Sequence, residues 1–131
     1  MRADYQLYYD EITRLDKYVG LVMDEIEAQG QTDNTLVLFI SDNGRPFPRD
    51  KTTTYDSGIK TPWIVKWPET IEAGTICKRL VSSIDIAKTF MRLGGVEDPG
   101  SSFEGVDFSS LLTDPETPIR DFASVSYTHL T

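Results

Sequence analysis

The chain has 131 residues, 39% hydrophobic and 26% charged, proportions of an ordinary globular domain that disfavour a disordered, collagen-like or coiled-coil chain. Thirteen Lys and Arg against twenty-one Asp and Glu leave a formal charge of -8, which argues against nucleic acid or an anionic membrane surface as partner. A lone Cys77 and a lone His129 exclude an internal disulfide framework, a multi-cysteine zinc site and a histidine-based acid/base pair.

Chemistry is therefore left to carboxylates, amides, lysine and arginine, groups suited to hard cations and oxyanions. No apolar run approaches the roughly 18 to 20 residues of a membrane span. The opening Met1-Arg2-Ala3-Asp4-Tyr5 does not read as a signal peptide.

Between Asp10 and Gln29, Ile12, Leu15, Val19, Val22, Met23 and Ile26 recur at three- and four-residue steps, which predicts an amphipathic helix stopped by Gly30. A polar turn, Gln31 to Asn34, leads into Thr35-Leu36-Val37-Leu38-Phe39-Ile40-Ser41. That run lacks two-fold alternation, as expected of a strand covered on both faces. A long polar loop reaches to Thr61, and Trp63 to Trp67 reads as a second strand between Pro62 and Pro68. Ser82 and Asp85 have capping-box spacing ahead of a short helix whose expected buried stripe is Ile84, Ala87, Phe90, Met91 and Leu93. Beyond Gly94-Gly95, only Phe108 to Leu112 offers a packed turn.

Asp42 and Asn43 follow the first strand directly, where ligands of open α/β sheets gather. Both present hard oxygens suited to calcium or magnesium, and Gly44 allows a sharp turn. Two such ligands fall short of the about six to eight that calcium takes. Asn-Gly between apolar segments is also a strong hairpin signal, and spacing alone favours that reading. Against it, Arg45-Pro46-Phe47-Pro48 makes a poor return strand, since prolines lack a ladder donor. The loop then presents Lys51, Thr52, Thr53, Thr54 and Tyr55, a composition suited to an oxyanion beside a cation.

These segments together resemble the sulfatases of the alkaline-phosphatase-like superfamily. The resemblance rests on Leu15-Asp16-Lys17-Tyr18-Val19-Gly20, on Thr35 through Ser41-Asp42-Asn43-Gly44, and on Lys51-Thr52-Thr53-Thr54-Tyr55-Asp56-Ser57-Gly58 leading to Pro62. Trp67-Pro68, Ala73-Gly74 and Ile84-Asp85-Ile86 follow in the family's order. Pro46-Phe47-Pro48 looks most similar to the heparan N-sulfatase-like branch.

The resemblance implies an α/β fold, part of an alkaline-phosphatase-like sandwich with helices on a mostly parallel sheet. It also implies calcium-dependent hydrolysis, with magnesium as the alternative cation, of a sulfate ester or sulfamate on a small molecule or glycan, with a formylglycine nucleophile. By the same resemblance Asp42 and Asn43 ligate the metal, and Lys51 binds the sulfate. Such relatives work in the periplasm, outside the cell or in lysosomes, so an exported parent is expected. Arg45 and Arg49 carry no assignment, Tyr55 and Trp63 read as packing residues, and a lysine in an exposed loop is most often plain surface.

The departures are specific. The nucleophile motif, Cys or Ser followed by x-Pro-x-Arg, is missing, since Cys77 precedes Lys78, Arg79, Leu80 and Val81. The aspartate pair, further lysine and histidine of the family's pocket have no counterpart, and His129 is out of place for that role. The expectation is that residues 1–124 are the C-terminal portion of a sulfatase catalytic domain, inactive alone, and that 125–131 are not native sequence. Two alternatives stay open. One is a phosphoryl or phosphonate hydrolase of the same superfamily, whose members usually have Asp-His where this chain has Asp42-Asn43. The other is a non-catalytic α/β module whose Asn-Gly turn serves folding alone.

Overall fold

A computed structural model describes residues 2–97 and 100–125. The expected non-native tail, apart from Val125, lies outside them. Helix α1 (Arg2–Ala28) begins earlier than its apolar stripe alone indicates. It ends in a Schellman-type turn: the Gln31 N–H donates to the Ile26 carbonyl at 3.0 Å, and Gly30 takes φ 65°. Among the described residues no helix is long and apolar enough to cross a membrane.

Strands β1 (Val37–Ile40) and β2 (Trp63–Lys66) form a two-stranded sheet. They pair antiparallel, Val37 opposite Lys66 and Ile40 opposite Trp63. The helix-and-strand character is as expected, but no parallel pairing occurs among the described residues. A parallel partner needs a crossover of a dozen or more residues back across the sheet, usually a helix. Here the intervening residues 41–62 hold only the single turn α2 (Asp56–Ile59) and simply return the chain along the edge of β1. The two-residue Asn43-Gly44 hairpin is absent as well, since the return strand starts only at Trp63.

The register sorts the side chains onto two faces. Leu38, Ile40, Trp63 and Val65 share one, while Val37, Phe39, Ile64 and Lys66 share the other. Trp63 and Val65 pack on the core cluster of Phe108, Leu111 and Leu112, and the Trp63 ring meets Phe108 edge-on at 5.7 Å. Trp63 is thus the packing residue expected. Leu111 and Leu112 sit in the 3-10 turn Ser109–Leu112. The opposite face looks across a groove of about 360 Å³ toward Ile12, Leu15, Val19 and Met23 of α1. Four of the six residues of the predicted helix stripe therefore face the sheet, while Val22 is exposed; the groove stays open and β1 is half-buried, not fully covered.

Helix α3 (Asp85–Leu93) forms where expected but turns the other way. Ile84, Phe90 and Leu93 are 55%, 42% and 39% exposed, whereas Asp85 and Thr89 are completely buried. The cause is the irregular backbone packed against the helix. Asp85 Oδ1 accepts from the Val106 N–H at 2.8 Å and from Arg120, Oδ2 accepts from the Ser82 N–H at 2.7 Å, and Thr89 Oγ1 accepts from the Phe108 N–H at 3.0 Å. Residues 105–108 have no strand neighbour, so buried amides there need side-chain acceptors. The Ser82–Asp85 spacing does act as the returning half of a capping box. Gly105 allows the approach, because a Cβ would stand 2.2 Å from the Ile84 carbonyl oxygen.

Candidate functional site

Asp42, Asn43 and Gly44 leave the end of β1 in a tight polar turn. Asp42 Oδ1 accepts from the Asn43 N–H at 2.9 Å, the Ser41 hydroxyl donates to the Asn43 carbonyl at 2.9 Å, and Asn43 Nδ2 donates to the Gly44 carbonyl at 2.9 Å. With its nitrogen engaged, the Asn43 amide has its oxygen left for a ligand. Asp42 is exposed and forms no ion pair among the described residues. The pair offers two hard oxygens on adjacent residues, which fits a calcium- or magnesium-type donor set in kind. It does not fill one. Among the described residues no group of three or more His, Cys, Asp or Glu gathers where it could hold a metal ion.

The loop that follows is drawn back onto this turn. The Gly44 N–H donates to the Gly58 carbonyl at 2.9 Å, and the Lys51 N–H donates to the Arg45 carbonyl at 3.0 Å. The first of these approaches depends on glycine at both positions. A Cβ on Gly44 would stand 2.0 Å from the Ser57 carbonyl oxygen, and one on Gly58 would stand 2.3 Å from that of Asp50. Phe47 pins the outer part of the loop to α1, stacking on Tyr5 at 4.3 Å and meeting Tyr8 edge-on at 5.3 Å. The segments holding Asp42, Asn43 and Lys51 are thus neighbours through the backbone, and Lys51 is exposed without an ion-pair partner among the described residues.

Arg45 and Arg49 carry no assignment from sequence, and Asp50 carries no sequence signal at all. The structure separates them. Arg45 Nε lies 3.0 Å from Asp50 Oδ2, and Asp50 is only 5% exposed. The Ser57 hydroxyl and the Arg45 guanidinium hold the Asp50 carboxyl below the ordinary carboxylate range, against the opposing pull of burial. Ser57 Oγ also lies 3.0 Å from the Arg49 carbonyl. Its single proton serves two acceptors, so the Arg45 pair is the uncontested contact. Arg49 instead lines a shallow cleft of about 560 Å³ with Tyr55, Asp56 and Ser57. Tyr55 is 62% exposed and does not pack as expected. A charge pair five residues apart in a loop has no periodic signature, so nothing short of the folded loop reveals it.

Cys77 is exposed, with Sγ 3.4 Å from the Pro115 carbonyl oxygen. It lies in the segment between Ile71 and Val81, far along the chain from the turn at the end of β1.

Comparison with known proteins agrees with the motifs. The sulfatase family model matches residues 1–96. An ulvan-active sulfatase of Formosa agariphila is 36% identical over 108 residues, covering 82% of this chain and 18% of the relative. The N-sulphoglucosamine sulphohydrolase of Homo sapiens is 35% identical over 105 residues, covering 79% and 21%. The N-acetylglucosamine-6-O-sulfatase of Bacteroides thetaiotaomicron is 27% identical over 126 residues, covering 93% and 22%. The chain spans about a fifth of the length of these relatives. Nearly equal identity to two differently named enzymes singles out no branch. With a family match over most of its length and the sequence motifs in order, the chain belongs to the sulfatase family.

Proposed function

We propose that this chain is the C-terminal portion of a calcium-dependent sulfatase catalytic domain whose complete enzyme hydrolyses sulfate esters or sulfamates on glycans. In this reading Asp42 and the Asn43 amide oxygen are two of the metal ligands, Lys51 binds the sulfate, and a formylglycine nucleophile lies outside the chain. The parent enzyme is exported. Support for the glycan substrate comes from the names of the relatives, which include ulvan, N-sulphoglucosamine and N-acetylglucosamine enzymes.

The observation that carries the reading is the return of the loop onto the strand end, with Gly44 bonded to Gly58 and Lys51 to Arg45. When bound, a divalent cation would supply positive charge opposite the sulfate. The ammonium of Lys51 stabilises negative charge on the sulfate oxygens as the ester bond breaks. An acidic chain is no obstacle, because a local cationic pocket dominates at close range.

The test is made in the complete enzyme. Asp42→Ala is expected to reduce hydrolysis of a sulfated sugar and to abolish its response to calcium and chelator together. Lys51→Ala is expected to lower kcat/KM by about 10² to 10³. Full activity in Asp42→Ala, with the chelator response unchanged, would overturn the metal assignment. The 131-residue chain alone is expected to show no turnover of an aryl sulfate.

A further inference from the structure

The loop between Asn43 and Lys51 is closed at its base by two contacts from one residue. Arg45 accepts the Lys51 N–H with its carbonyl at 3.0 Å and grips the neighbouring Asp50 carboxylate with its guanidinium, also at 3.0 Å. Asp50 is buried while most polar side chains around it are exposed, and desolvating a carboxylate is unfavourable unless a partner compensates. Arg49 and Thr52, flanking the Asp50-Lys51 pair on either side, both take left-handed backbone angles, φ 70° and 66°. Non-glycine residues hold that conformation only where their surroundings impose it. Thr53 adds a further tie, its hydroxyl oxygen lying 2.8 Å from the Asp50 carbonyl oxygen and 3.0 Å from that of Arg49. The buried charge and the strained flanks converge on Lys51, whose backbone they set while its side chain stays exposed.

We infer that Arg45 and Asp50 are positioning residues for Lys51: their ion pair locks the loop so that the lysine is presented toward the β1 end, and Arg45 is not itself a substrate ligand. The inference rests on the reading of Lys51 as the sulfate-binding residue. Its physical content is that Lys51 is pre-organised, so that little ordering is left to do when the anion arrives.

Two measurements test it. Hydrogen exchange of the Lys51 amide in the 131-residue chain reads the lock without any activity. Asp50→Asn and Arg45→Gln are each expected to speed that exchange about tenfold or more, the double variant no further, with the β1–β2 amides unchanged. Unaltered Lys51 exchange in the single variants overturns the inference. So does equal acceleration of the sheet amides, since the pair would then be a general fold contact.

In the complete enzyme, Asp50→Asn is expected to lower kcat/KM about tenfold when Lys51 is present and to have no effect in a Lys51→Ala background. An equal loss in both backgrounds overturns the inference, because the carboxylate would then act otherwise than through the lysine. If Lys51→Ala leaves hydrolysis unchanged while Asp50→Asn still frees the Lys51 amide, the sulfate reading falls and the lock stands.

Discussion

Gly44 and Gly58 touch backbone to backbone, the N–H of the first donating to the carbonyl of the second at 2.9 Å, with no room for a Cβ on either. This crossing brings the loop that carries Lys51 back to the turn that carries Asp42 and Asn43. Glycine is required there by contact and not by backbone angle, since neither residue has positive φ.

Substituting either glycine with alanine should therefore open the loop. Gly58→Ala is expected to destabilise the chain by about 1–3 kcal/mol, the usual cost of overpacking against atoms that cannot retreat. Denaturant unfolding would measure this, and the Gly44 amide should lose its protection from hydrogen exchange. An unchanged midpoint together with a still protected Gly44 amide would show that the two segments do not cross closely.

Asp85 is the most consequential buried charge. Fully inaccessible, it satisfies the backbone at Ser82 and Val106 and pairs with Arg120. Removing one partner strands the other, so Asp85→Ala should cost about 3–5 kcal/mol, a large share of an ordinary domain's stability. Urea titration of the variant checks this. A loss under about 1 kcal/mol would mean that water reaches the site.

Acid should loosen the loop before it unfolds the sheet. The Asp50 carboxyl is held below its ordinary value chiefly by the Ser57 hydroxyl and by Arg45. A depressed carboxyl contributes stability above its unfolded value, about pH 4, and that contribution is lost as pH falls through the lower folded value. Carboxyl chemical shifts followed by NMR should show Asp50 titrating below the ordinary carboxylate range. In Asp50→Asn the acid-linked change in Lys51 amide exchange should vanish.

Much apolar surface is uncovered. Leu7, Tyr18, Leu21 and Val22 on α1 are each more than half exposed, as is Ile64 of β2. Apolar surface on this scale drives association. Sedimentation of the chain at rising concentration should show self-association, reduced by Leu21→Glu with Leu7→Glu. A monomer at every concentration would show that these side chains are too scattered to form a patch.

Local signals were legible without coordinates: the α1 stripe from Ile12 to Ile26, its stop at Gly30, both strands, and Asp42-Asn43 at the end of the first. Each depends on residues close in sequence, through period, turn chemistry or steric restriction. The antiparallel pairing of Val37 with Lys66, the burial of Asp85 and Thr89 in place of Ile84 and Phe90, and the Arg45–Asp50 lock were decided only by the tertiary fold. Their choice turns on which backbone amides are left without a neighbour, which glycines admit a close backbone crossing and how an irregular loop folds on itself, quantities that no local pattern encodes.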